Sequence, residues 1–399
     1  MKAKNLVILV VAAAVLVAAA LWTQRSEEEP SDLIGRRVLA DLPVNDIAQI
    51  VVTSAGTTTQ LARVDGVWVS QSHYNYPADF TRIKAAILKL SELSVGQVVD
   101  VEAGDKPAMK MVSPTSGSAG AGTLVEMNDA SETPIASLLI GEARKRAAAE
   151  QGPYGGYPDG QYVSTDKGAT VYLIKDNLYE FDRAGEWLDK QLVSVTANDV
   201  TTAMLAGPDR DAVTLRLAEG TTDLVIAPLG EKEEMDTERV NTVKSALSYL
   251  RFESVADPTM TDSELGMETP ATFTITTKKS EIYTVQIGTK AADSENRYAR
   301  IHVALTPAPE VTDEGAPDQT DEEKEAASAE RVRLAAERAA QEQTVAELNA
   351  RLAPWTYVIA SHKSDTMLST RDQLVKDVEE EKSDVSDEEE PESEDQESE

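Results

Sequence analysis

The hydrophobic pattern opens with an unbroken apolar run of 17 residues, Leu6 to Trp22. As a helix rising ~1.5 Å per residue it is about 26 Å long, close to the ~30 Å hydrocarbon layer of a bilayer. Lys2 and Lys4 precede the run, and Arg25 and Glu27-Glu28-Glu29 follow it. Basic residues stay on the cytoplasmic side, so this pattern predicts a single N-terminal membrane anchor with everything after Trp22 facing outward. The alternative is a cleaved export signal, for which Ala18-Ala19-Ala20 would be the processing site. Both readings put the body of the chain outside the cytoplasm.

Beyond a polar stretch the period changes. Alternating apolar runs at Ile47–Thr53, Thr58–Val64 and Val67–Ser70 predict strands, with Asp65-Gly66 closing a hairpin between the last two. Ile83, Ile87, Leu88 and Leu90 then recur at helical spacing, in a helix that Asp79 caps or Pro77 opens. Strands are expected again at Val98–Val101, Thr123–Met127, Ser137–Ile140, Gln161–Ser164 and Thr170–Ile174, and a helical stretch at Trp187–Leu192. Lys110–Gly122 is Ser/Gly-rich and reads as a loop. The order then recurs. Strands are expected at Thr201–Ala206, Val213–Leu217 and Asp223–Ala227, a helix at Thr237–Leu250, and strands at Ser254–Val255, Thr272–Thr277, Ile282–Ile287, Tyr298–Val303 and Trp355–Ala360.

The halves match in detail. Asp79-Phe80-Thr81-Arg82-Ile83 corresponds to Asp236-Thr237-Glu238-Arg239-Val240, and in each half another Asp follows 21 residues after the first, at Asp100 and Asp257. Leu139-Ile140-Gly141 corresponds to Gln286-Ile287-Gly288, and Tyr162 to Tyr298. A period this long implies tandem domains rather than a solenoid. The fold class expected is α+β: two tandem repeated domains of mainly antiparallel sheet, each with a packed helix, preceded by one transmembrane helix. The expected boundaries are 1–24 for the anchor, 25–39 for a tether, 40–195 for the first repeat, 196–376 for the second and 377–399 for an acidic tail. In the second repeat an insertion, 306–354, separates two strands that Lys167-Gly168 joins tightly in the first. Its Asp321–Leu352 portion has neither Gly nor Pro and is expected to be helical. Val332, Ala335, Ala336, Ala339, Val345, Leu348 and Leu352 would form a thin apolar stripe, for either a solvated helix leaning on its own domain or a projecting, coiled-coil-like arm.

Charge narrows the partners. The formal net charge is −32, and the tail from Asp377 to Glu399 holds fourteen acids and one base. Nucleic acid is excluded, since binding it needs clustered Lys and Arg; tight binding to anionic lipid is disfavoured, and solubility, a basic partner or divalent cations are favoured. The tail cannot bury enough apolar area to order itself and is expected to be disordered. There is no cysteine, which removes disulfides, thiolate chemistry and Cys-ligated metals.

A search for chemistry singles out no catalytic, cofactor-binding or metal-ligating residue. His73, His302 and His362 are the three histidines, and none has a partner at metal-ligand spacing. There is no Gly-x-Ser-x-Gly elbow, and Gly117–Gly122 lacks the strand-then-helix context of a phosphate loop. Paired carboxylates for glycoside-type hydrolysis cannot be picked out among seventy acids. The Tyr-rich loops His73-Tyr74-Asn75-Tyr76-Pro77 and Gly152–Pro158 suit either contact surfaces or plain turns with a packed ring.

The anchor, Ile47-Ala48-Gln49-Ile50-Val51-Val52, Gly66-Val67-Trp68-Val69, Tyr76-Pro77-Ala78-Asp79 and Trp187-Leu188-Asp189-Lys190 together resemble membrane-anchored bacterial proteins carrying the DUF4340 domain. The resemblance covers residues 1–305 and the strand near Trp355. It implies an accessory component of envelope machinery of the ABC-export or gliding-associated kind, and brings no catalytic residues with it. The expected function is therefore a single-pass inner-membrane protein, its bulk periplasmic, acting as an interaction subunit with a protein partner. An envelope hydrolase using carboxylates and a module binding a ligand or polymer are the alternatives.

Overall fold

The computed structural model describes residues 33–54, 56–114, 119–144, 158–182, 187–307 and 321–377. The expected anchor, most of the acidic tail and residues 152–157 of the second Tyr-rich loop lie outside the described residues. Among those described, no helix is long and apolar enough to cross a membrane. The chain divides into two compact units, Met1–Lys190 and Gln191–Glu399. Both are α+β, with mostly antiparallel sheet and few helices.

Unit 1 contains β1 (Gln49–Ser54), β2 (Thr57–Val64), β3 (Val67–Ser70), β4 (Tyr76–Pro77), helix α1 (Phe80–Glu92), β5 (Gln97–Val99), β6 (Thr123–Asn128), β7 (Pro134–Arg144), β8 (Gly160–Ser164) and β9 (Val171–Ile174). They form one sheet in the order β4-β3-β2-β1-β6-β7-β8-β9-β5. The β2–β3 hairpin closes on Asp65 (φ 49°) and Gly66 (φ 85°). Two successive left-handed residues give the turn whose twist suits a two-residue hairpin, which is why Asp-Gly stands there. One sheet face alternates inward as Ile50, Val52, Val125, Met127, Leu138 and Ile140, and packs on Ile83, Ala86, Ile87 and Leu90 of α1 with Trp187. Each fully buried aliphatic side chain here contributes about 1.5–3 kcal/mol.

Unit 2 contains β10 (Gln191–Val193), β11 (Val200–Gly207), β12 (Arg210–Leu217), β13 (Leu224–Ile226), β14 (Glu233–Met235), α2 (Thr237–Lys244), β15 (Leu250–Val255), α3 (Asp262–Leu265), β16 (Ala271–Thr277), β17 (Glu281–Lys290), β18 (Arg297–Leu305), α4 (Asp321–Leu352), β19 (Tyr357–Ile359), α5 (Ser361–Met367), α6 (Arg371–Leu374) and β20 (Val375–Asp377). Its large sheet, read from its β13 edge, runs β13-β12-β11-β16-β17-β18-β19-β15-β10. From β3 to β5 in unit 1, and from β13 to β15 in unit 2, eight strands follow one order.

The correspondence reaches single bonds. Asp79 accepts from the Arg82 amide and Asp236 from the Arg239 amide, each capping its helix. The Asp79 amide donates to Trp187 O and the Asp236 amide to Leu374 O, both at 2.8–2.9 Å. Trp187 and Leu374 are both fully buried, so each unit closes with a returning segment laid over the start of its helix. Gly141 and Gly288 stand at the same place in β7 and β17. A Cβ at Gly141 would lie 2.5 Å from Met109 O, and one at Gly288 2.0 Å from Leu265 O. Each glycine lets a loop cross the sheet closely, and each crossing buries a methionine, Met111 or Met267.

Two expectations are corrected. Trp187–Leu192 is not helical: Leu188 bridges Ala78, and Gln191–Val193 pairs with β15, so tertiary pairing overrides local pattern. The second helix stops at Lys244 rather than Leu250. The Ser245 hydroxyl donates to the Asn241 and Thr242 carbonyls, closing the helix end, and Leu250 begins β15.

Candidate functional site

Three places could carry function. The first is an open cleft of about 590 Å³ on unit 1, lined in part by Lys110, Gly141, Glu142, Gln161 and Tyr179. Three of its polar side chains are engaged. Lys110 pairs with Glu142 at 2.6 Å. Gln161, almost fully buried, donates to Gly141 O at 3.1 Å and accepts from the Leu178 amide at 2.7 Å.

The second is the Ser70–His73 pair, with Ser70 Oγ 2.8 Å from His73 Nδ1. Burial, and then the charge of Lys190, lower the His73 pKa, which suits a base. Ser70, however, is wholly buried and therefore closed to substrate. Next to it the marked loop is a packed turn: Tyr74 and Asn75 take φ of 57° and 64°, while Tyr76 is buried and its hydroxyl donates to Asp189 O at 3.4 Å. His302 on β18 and His362 on α5 are exposed. Among the described residues no group of three or more His, Cys, Asp or Glu could hold a metal ion.

The third place is α4. The β18 strand pairs with β19 only over Arg297–Ala299, so its outer edge is left open from Arg300 onward. The C-terminal part of α4 fills that edge. Asn349 accepts from the Val303 amide at 2.9 Å and donates to Val303 O at 2.6 Å, so one side-chain amide stands in for a paired strand residue. Arg338 donates to Thr306 O at 2.8 Å, and Arg351 to the β10 carbonyls of Gln191 and Leu192 at 2.8 and 2.7 Å. Arg338, Gln341, Val345, Leu348, Asn349, Arg351 and Leu352 are the sheltered positions, mostly recurring at steps of three and four. Upstream the shelter ends: residues 325–337 are exposed throughout, with Val332 at 68% and Leu334 at 50%. The expected single stripe is therefore corrected. Val332 and Val345 lie on different sides of the helix, and over its full length α4 has little one-sidedness.

Sequence reasoning missed Asn349 and Arg351. A signal was present: Asn is a poor helix former, and this one stands on the sheltered face between Leu348 and Leu352. A second cluster it missed is in unit 2. Arg371 forks onto Glu233 at 2.7 and 2.6 Å, and with the Gly230 amide it holds the Glu233 pKa at about 2. Lys376 meets Asp236 at 3.3 Å. These bonds fasten the β14–β20 closure over the α2 N-cap.

Fold and site together define a protein of two antiparallel-sheet α+β units whose most distinctive surface is a helix docked along its C-terminal half and, among the described residues, exposed along 325–337. Residues 68–270 match the family described as Domain of unknown function (DUF4340). That is just over half of the chain, and the chain belongs to this family. The match runs from β3 to the residue before β16, so α4 lies beyond it. No curated protein and no solved structure matches the chain.

Proposed function

We propose that this protein is a non-enzymatic, membrane-anchored interaction subunit of an envelope assembly. Leu6–Trp22 would hold it in the inner membrane, two tandem copies of one α+β fold would stand on the periplasmic side, and the free half of α4 would engage a protein partner. The lysine-flanked apolar run supports the anchor. The common strand order, twin Asp caps and twin closing segments support internal duplication. The observation that carries the functional reading is α4 itself. Its last turns are fixed by three side chains that bond backbone of the same unit, while among the described residues 325–337 are exposed, with Val332 and Leu334 uncovered. An isolated helix of this kind is marginal in water unless packed, so a free half that persists is suited to packing on something else. Association with an ABC-type transport system is the specific form of this proposal that the family resemblance favours.

The test is affinity capture of the full chain from detergent-solubilised membranes, compared with a Val332→Ser, Leu334→Ser variant. A stoichiometric membrane partner lost in the variant supports the reading. Purification of the intact protein alone, with the membrane fraction shown to contain it, refutes it.

A further inference from the structure

The two units serve as controls for each other, and one surface differs between them. Aligned on their Asp caps, Phe80, Lys84 and Leu88 of α1 correspond to Thr237, Asn241 and Ser245 of unit 2. Phe80 is 59% exposed and Leu88 43%. They stand four residues either side of Lys84, on one line along the helix. The sister helix keeps the same cap with polar residues at the first two of these positions, and Ser245 is its C-cap. In unit 2 the α2 helix is flanked by α5 and α6.

The segment that brings the chain into unit 1 arrives beside this line. The Gly35 amide donates to Val95 O, the Val38 amide to Leu93 O, and Arg37 pairs with Ser94 and bonds Ser91 O, all at the C-terminal end of α1. Leu88 is one turn from Ser91. Leu33 (39% exposed) and Ile34 (51%) add apolar surface, and Arg36 and Arg37 add exposed positive charge. On the helix the exposed cation is Lys84; Lys89 is engaged by Glu180 at 2.8 Å, and Arg82 is half-buried and also engaged. In a chain of net charge −32, Arg36, Arg37 and Lys84 are exposed cations beside these apolar side chains, with Asp32 and Glu92 the acids next to them in sequence.

We infer that this face, from Leu33 through Arg37 and along Phe80, Lys84 and Leu88, docks unit 1 on the anionic surface of the lipid bilayer. The inference rests on the reading of Leu6–Trp22 as an anchor. Trp22 and Leu33 are eleven residues apart, a reach of at most about 38 Å, so an anchored unit 1 is held close to the headgroups with its entry point nearest. Charge selects the occupant: the cations favour acidic phospholipid and oppose a second copy of this acidic chain. Phe and Leu beside Lys and Arg is the side-chain set that lies at a membrane interface.

The chain has no cysteine, so single reporters are clean. Full-length Leu88→Cys and, as sister-unit control, Asn241→Cys are labelled with an environment-sensitive fluorophore. They are reconstituted in phosphatidylcholine vesicles with or without phosphatidylglycerol, some lipid carrying a headgroup nitroxide. The label at position 88 is expected to be quenched only with phosphatidylglycerol present, and that at 241 in neither. Lys84→Gln is expected to lower the docked-to-undocked ratio about fivefold, the share of one cation near an anionic surface. Equal quenching at 88 and 241 in chains that float with the vesicles overturns the docking and leaves the anchor standing. Quenching at 88 that ignores phosphatidylglycerol overturns the anionic surface. Shielding of position 88 only in native membranes, and not with lipid, assigns the face to an acidic protein and overturns the inference. Chains that fail to float overturn the anchor and the docking with it.

Discussion

Replacing Asn349 by alanine should open the edge of β18. The side-chain amide meets both polar groups of Val303, at 2.9 and 2.6 Å, and Val303 is buried. A neutral hydrogen bond contributes about 0.5–1.5 kcal/mol net, so losing two costs about 1–3 kcal/mol. Alanine returns up to ~0.7 kcal/mol of helix propensity, leaving a net destabilisation of about 0.3–2.3 kcal/mol. Asn349→Asp is the sharper variant. A carboxylate can still accept from the Val303 amide but sets oxygen against the Val303 carbonyl, and so should cost at least as much as alanine. The assay is amide hydrogen exchange across unit 2 with urea unfolding alongside. Exchange at Val303 should accelerate in both variants, and α4 from Arg338 to Leu352 should loosen with it. Unchanged protection at Val303 would refute the argument that α4 completes the sheet edge.

Three further outcomes are expected. Asp79→Ala and Asp236→Ala should each cost about 0.5–2 kcal/mol, and hydrogen exchange should place the loss at the start of α1 for the first and of α2 for the second; a loss spread equally over both units would contradict the twin-cap reading. His73 has a folded pKa lowered from the usual 6.5 by burial and then by Lys190, so the unfolded chain binds the extra proton first. Stability should therefore decline as pH falls through about 6.5 toward the folded pKa, and His73→Gln should flatten that slope in urea titrations. Gly288→Ala should disturb unit 2 through Leu265 O, which a Cβ would approach to 2.0 Å, and a Tm within one degree or so of the parent would contradict the close crossing.

Much of this architecture is written locally. The Asp65-Gly66 turn, the Asp79 and Asp236 caps and the Asp321–Leu352 helix follow from short-range chemistry, and the structure has them as expected. What failed to show in the pattern depends on residues far apart in sequence. Trp187-Leu188 reads as helix until the Asp79 amide and Ala78 take its bonds. Leu250 looks like the last turn of a helix until β19 and β10 claim β15 on either side. Of the docked face of α4, the apolar pattern shows Val345, Leu348 and Leu352 but joins them to Val332 and the alanines, because the rest of that face, Arg338, Gln341, Asn349 and Arg351, is polar. The exposed Phe80 and Leu88 were equally unreadable, because a helical stripe does not say which apolar residues stay outside.

The central claim is that the free half of α4 holds a partner while Leu6–Trp22 holds the membrane. The most direct measurement is site-specific crosslinking in intact cells, with a photoreactive residue at position 334 on α4 and, as control, at position 348 on its docked face. The account predicts a discrete adduct with one membrane-assembly protein from position 334, and none from position 348. Equal labelling from both positions, or adducts only with soluble cytoplasmic proteins, would contradict it.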